Sequence, residues 1–101
     1  MRRSKLEMCV DILKVLANRS PLKLTHIMFK ANVNCNVLKE YLDFLTKQGL
    51  VEVKIVGKGR RVYAITQLGV TVFEQFRELK EVLPIIVETG NEARNQRPYQ
   101  F

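Results

Sequence analysis

Residues 50–65 read LVEVKIVGKGRRVYAI, two β-branched and aromatic runs on either side of Gly57-Lys58-Gly59-Arg60. Alternation within each run predicts a strand, and the glycines supply the positive φ angles that a short connection demands. The stretch is therefore a β-hairpin. Val56, Val62, Tyr63 and Ile65 are its candidates for the core. Lys54, Lys58, Arg60 and Arg61 crowd the same hairpin with no acidic residue after Glu52. Charge on exposed strands also blocks edge-to-edge aggregation. A run of one sign, however, is the pattern of a phosphate-binding surface rather than of a mixed solvating one.

What precedes the hairpin gives it a context. CNVLKEYLDFLTKQ, residues 35–48, has the period of an amphipathic helix, with Asn34 as its cap and Gly49 as its stop. Val37, Leu38, Tyr41, Leu42 and Leu45 form its inner face. Asn36, Lys39, Glu40, Asp43 and Lys47 form the outer one. Before it, LTHIMFKA predicts a brief helix capped by Thr25 and running to about Ala31, followed by a tight turn at Asn32, Val33 and Asn34. Two helices so joined, the second longer and polar outside, make a helix-turn-helix pattern. Earlier still, Leu6, Cys9, Val10, Leu13, Leu16 and Ala17 recur at helical spacing between Ser4 and Ala17, and Asn18 to Pro21 ends that helix.

Downstream, Thr66 caps a fourth helix that begins QLGVTVFEQF and is expected to reach Glu88. Val72, Phe76, Leu79, Leu83 and Ile86 are spaced four, three, four and three, a heptad seam. Phe73 and Val82 lie beside the seam, where they are expected to pack back on the domain, and Pro84 is expected to bend the helix. The alternative is that the whole apolar stripe packs on the first helix. One small domain cannot cover all these side chains, which points to a homodimer. The organisation read from the chain is a DNA-binding unit over residues 4–66, a dimerisation helix over 67–88 and a flexible polar tail over 89–101.

Composition narrows the function. The chain has 101 residues, 47% of them hydrophobic, enough for one folded domain. Net charge is +7, and residues 1–65 hold 13 Lys and Arg against 5 Asp and Glu, so a polyanionic partner is expected for that part. No apolar run approaches the roughly 20 residues of a membrane span, and the charged start lacks the form of a signal peptide, so a cytoplasmic protein is expected. Cys9 and Cys35 form no CxxC, leaving no metal site or disulfide framework, and both are expected to be reduced and mostly buried. His26 is expected to pack or to meet phosphate. Neither an acid pair nor a nucleophile with a base partner is present, and GKGR lacks the spacing of a P-loop, so neither enzyme activity nor a cofactor is expected.

The segments ANVNCNVLKEYLDFLTKQGLVE and VYAITQLG resemble a specific group, the small archaeal winged helix-turn-helix DNA-binding proteins of about ten kilodaltons that dimerise through a C-terminal coiled-coil helix. Tyr63, Ile65, Thr66 and Gly69 carry the match at the strand-to-helix junction, and the resemblance covers roughly residues 6–83. It implies a mainly α fold with a two-stranded β-wing and a C-terminal dimerisation helix. It also implies double-stranded DNA as partner, with the third helix in the major groove and the wing on backbone or minor groove. The role implied is transcriptional regulator or nucleoid-associated protein.

On that reading Asn36, near the start of the third helix, is a better base contact than the cap Asn34. Lys39 and Lys47 reach phosphate or guanine. Glu40 and Asp43 repel phosphate unless they pair with lysines or accept from cytosine. Arg60 suits a narrow minor groove. Arg2, Arg3 and Lys5 extend the surface as an N-terminal arm. The rival from another class is an adaptor that uses the same fold to bind protein, and RNA binding ranks lower because no aromatic platform is evident.

Overall fold

In the computed structural model, residues 3–82 are described. Their order is α1 (Lys5–Asn18), α2 (Leu24–Ala31), α3 (Cys35–Lys47), β1 (Val51–Val56), β2 (Arg60–Ile65) and α4 (Gln67–Val82). Arg2, Leu83, Pro84, Ile86 and residues 89–101 lie outside the described range.

Each helix starts for a local reason. Ser4 accepts from the Glu7 amide at 3.0 Å while Glu7 accepts from the Ser4 amide at 2.8 Å, a capping box that fixes the start of α1. Asn34 Oδ1 accepts from the Val37 amide at 2.9 Å and caps α3, as its sequence position predicts. For α2 the expectation of a Thr25 cap fails. The helix begins at Leu24, with Lys23 in the cap position and no side-chain hydrogen bond there. The Leu22 amide and carbonyl are engaged with Tyr63 at 2.9 and 2.8 Å, so helical geometry starts directly after this bridge.

The helix ends are as definite. Beyond α3, Gly49 has φ of +79°, its amide bonds the Thr46 carbonyl at 3.0 Å, and the Leu50 amide bonds the Leu45 carbonyl at 2.9 Å. These two bonds are the Schellman closure, which needs a residue free to adopt left-handed geometry. Asn32, with φ of +57°, does the equivalent after α2, where the Val33 amide reaches the Met28 carbonyl at 3.1 Å. The two strands pair antiparallel in the register Val51 with Ile65 through Val56 with Arg60. Gly57 and Gly59 both have positive φ at the tip.

Ile12, Leu16, Ile27, Leu38, Leu42 and Leu45 form the centre of the core, sealed by Val51, Leu22 and Tyr63. On α1 the buried side chains are Met8, Ile12, Leu13 and Leu16, so the inward face is rotated from the expected stripe. Leu6 and Ala17, expected inside, are exposed, because apolar residues occupy more of this helix than one face can bury. Val56 is likewise exposed, lying too near the hairpin tip to meet the core, whereas Val62 and Tyr63 are buried. Both cysteines are free and only half buried, and burial raises the Cys9 pKa.

The junction after β2 locks the last helix to the domain. Thr66 Oγ1 donates to the Gly49 carbonyl at 2.7 Å and accepts from the Gly69 amide at 3.0 Å, and the Thr66 amide donates to the Leu50 carbonyl at 3.0 Å. Gly69 is buried, and a Cβ there would collide with the Leu50 carbonyl oxygen and stand 2.7 Å from Ile65 Cγ1. Val72 and Phe73 then pack against the core cluster. Gly69→Ala must therefore push α4 outward, with an expected cost of about 1–3 kcal/mol in urea unfolding. A cost below about 0.5 kcal/mol would mean that α4 is not held this closely.

Candidate nucleic-acid interface

The outer face of α3 is split between two clefts. Lys39 and Asp43 line a cavity of about 280 Å³ together with Arg61, Tyr63 and Val53, between α3 and the hairpin. Glu40 lies on the other side of the helix. It lines a cavity of about 330 Å³ with Lys5, Cys9, Tyr41 and Phe44 at the start of α1. A helix turns 100° per residue, which here carries Lys39 to the hairpin side and Glu40 to the α1 side. The carboxylate facing the hairpin side is thus Asp43, and Lys47 stands 3.4 Å from it, an exposed i,i+4 pair of small energetic value but correct sign.

The cations of the hairpin divide in the same way. Arg61 and Tyr63 line the α3 cleft, and strand alternation puts Arg60 and Val62 on the opposite face. Lys54 pairs across from Val62 and lies 3.8 Å from Glu52, which offsets part of its charge. Lys58 occupies the tip between two positive-φ glycines. The basic hairpin is therefore two-sided, with Arg61 turned to the helix and Lys54 and Arg60 turned away.

The expected N-terminal arm takes another form. Arg3 Nη1 donates to Asp11 Oδ2 at 2.7 Å and to the Ala31 carbonyl at 2.9 Å, and Nη2 donates to the Asn32 carbonyl at 2.6 Å. This guanidinium closes the carbonyl end of α2, where a cation is electrostatically favoured. Arg3 is thus a tie between α1 and the turn of the helix-turn-helix, and Lys5 is the first residue of α1. Asn36 and Lys39 are exposed, while Asn34 spends its carbonyl oxygen on the cap. His26 is exposed rather than packed. Among the described residues no group of three or more His, Cys, Asp or Glu side chains comes together, and no helix is long and apolar enough to cross a membrane.

A sequence profile described as winged helix-turn-helix matches residues 2–83. The chain belongs to the winged helix-turn-helix family. The β1–β2 hairpin is its wing, and α2, α3 and their turn are its helix-turn-helix. An uncharacterized protein of Methanocaldococcus jannaschii is 28% identical over 82 residues, which are 81% of this chain and 78% of that protein. The crystal structure of Sso10a-2, a DNA-binding protein from Sulfolobus solfataricus, superimposes with a TM-score of 0.64 at 28% identity, covering 98% of this chain and all of that one. A MarR-family transcriptional regulator from Silicibacter pomeroyi shares the fold with a TM-score of 0.66 at 17% identity, over 98% of this chain and 76% of its own.

Sequence reading grouped the wing cations into one patch and did not foresee that Val53 and Tyr63 would floor the α3 cleft. Period-two alternation within β2 held the signal that separates Arg60 from Arg61. The assigned roles are separable by stability. Asn34→Ala and Arg3→Ala should each cost about 1 kcal/mol in chemical denaturation, since one removes a helix cap and the other the ties that close α2. Asn36→Ala should stay within about 0.5 kcal/mol of the parent. Equal effects at positions 34 and 36 would refute the division between cap and surface residue.

Proposed function

We propose that this winged-helix protein binds double-stranded DNA, as a transcriptional regulator or a nucleoid-associated protein, with α3 in the major groove and the wing on the backbone or minor groove. The observation that carries the reading is the cleft that joins Lys39 of α3 to Arg61 of the wing. A helix face with one cation beside an Arg-bearing ribbon offers base-edge contact and phosphate contact from one surface. Asn36 and Lys39 are assigned to base edges, and Lys47, Lys58, Arg60 and Arg61 to phosphates. Glu40 is assigned no phosphate-facing role, since it lies toward α1. The DNA-binding description of Sso10a-2 supports the same reading.

A homodimer completes the proposal. Of the expected seam, Val72 is spent on the domain's own core and Phe76 is half buried. Leu79 is 42% and Val82 73% exposed, and Leu68 lies on the same flank of α4, also exposed. The part of the seam available to a second copy is therefore its C-terminal end at Leu79 and Val82, because Val72, on the same face, already packs on the domain. Leu83 and Ile86 extend the sequence pattern beyond the described residues.

Replacing Lys58, Arg60 and Arg61 together by Ala should weaken duplex binding at least about tenfold at moderate salt. It should also lower the salt slope of the binding constant by about 2–3, because each phosphate that a cation neutralises contributes about 0.9 to that slope. Unchanged binding in fluorescence anisotropy, or no binding by the parent at low salt, would leave the adaptor reading. Light scattering should return about twice the 11.7 kDa chain mass. The double change Leu79→Glu, Val82→Glu should return the monomer.

A further inference from the structure

A cavity of about 740 Å³ lies between α1 and α2 and does not touch α3 or the wing. Lys14, Arg19 and Lys30 line it, beside the Arg3–Asp11 pair. A second cavity, about 420 Å³, adjoins it and is lined by Arg19, Lys23, His26, Lys30 and Val62. Arg19 and Lys30 line both, so the two adjoin at these side chains and together make up a trough. Asp11 is its one carboxylate, and Arg3 already holds it at 2.7 Å. Among the described residues no carboxylate stands within ion-pair distance of Lys14, Arg19, Lys23 or Lys30.

The sequence shows that this is not a chance of one surface. Residues 12–39 contain five Lys and Arg and no Asp or Glu. Folding brings four of the five to the trough and sends Lys39 to the α3 cleft. Lys30 alone has a structural use, in the last turn of α2, where a cation favours the carbonyl end. The other three gain nothing within the fold from standing near one another, and like charges so placed repel.

We infer that the trough is a second phosphate-backbone site, which holds a DNA segment other than the one held by α3 and the wing. The inference rests on the DNA-binding reading above. A discrete small anion needs an enclosed site with buried, fixed donors. Here all four cations are exposed, the arrangement that tracks a chain of phosphates without reading bases. Lys23 and Lys30 are about 10 Å apart along the α2 axis, the rise of about three base pairs. The site is also separate from the recognition cleft. Val62 faces the trough whereas Arg61 and Tyr63 face the cleft, so the wing strand stands between them.

The test counts duplexes. With fluorescent duplexes of about 12 base pairs, too short to reach both faces at once, titration at low salt should saturate at two per protomer. The change Lys14→Gln, Arg19→Gln, Lys30→Gln should reduce this to one and lower affinity for a duplex of about 60 base pairs at least about tenfold. All three side chains are exposed, so the fold should persist, and Arg19→Gln alone should give an intermediate loss. Saturation at one duplex, unaffected by the triple change, overturns the trough and leaves the cleft reading intact. One duplex lost with the trough change but kept with the wing change overturns the cleft reading instead. A third arm adds tripolyphosphate. If it shifts the amide resonances around Arg19 and Lys30 while duplex saturation stays at one, the occupant is a free anion and the DNA segment is wrong.

Discussion

The hydroxyl of Thr66 joins three parts of the molecule that carry different tasks. It donates to the carbonyl of Gly49, just past the end of α3, and accepts from the amide of Gly69, in the first turn of α4. Thr66 itself ends the wing, whose base closes through its amide on the Leu50 carbonyl. The end of α3, the wing and α4 thus meet at one side chain. The angle between α3 and the wing decides whether Lys39 and Arg61 share a cleft, and this junction, with the Schellman closure at Gly49, sets that angle. The closeness of α4 depends on the same place, because only a residue without a Cβ lets its first turn rest on Leu50.

Much of this was legible in the sequence, for reasons that differ by element. The cap of α3, its glycine stop and the two-glycine hairpin are local devices, and local chemistry determines them without reference to the rest of the chain. The inward face of α3 was legible because its polar and apolar residues separate onto two sides, whereas β2 buries Val62, Tyr63 and Ala64 in a row. On α1 the same logic misplaced the stripe. Met8 and Ile12 are inside and Leu6 is outside, since nearly every turn offers apolar residues in two directions and only the packing of α2, α3 and α4 chooses between them. Val82 was expected to pack back on the domain and is exposed, which no local signal announces.

The candidate site shows the same boundary. That a basic hairpin follows a helix-turn-helix is a one-dimensional fact. Which cation faces which surface is not, because it depends on strand register and on the roll of α3. The Arg3 tie to Ala31 and Asn32 spans 28 and 29 residues of sequence, a separation over which spacing carries no information. An arginine near a chain start looks like an arm until the carbonyls that it closes are known.

These placements alter where attraction to a polyanion resides. Charge counted along the chain set the wing, with Lys54, Lys58, Arg60 and Arg61, above the outer face of α3, where Lys39 and Lys47 stand beside Glu40 and Asp43. In three dimensions the wing divides its cations between two faces, and Glu52 offsets Lys54 on one of them. The α3 face toward the wing has Asp43 drawn to Lys47 and Glu40 turned aside, so it is less repulsive than its composition indicates. Long-range attraction scales with uncompensated cations, and the trough between α1 and α2 has four, Lys14, Arg19, Lys23 and Lys30, against Lys58, Arg60 and Arg61 in the wing. On the proposed DNA-binding reading, steering toward DNA belongs to both sides of the wing, while selection among sequences falls to the few side chains, Asn36 and Lys39 foremost, that the proposal assigns to base edges.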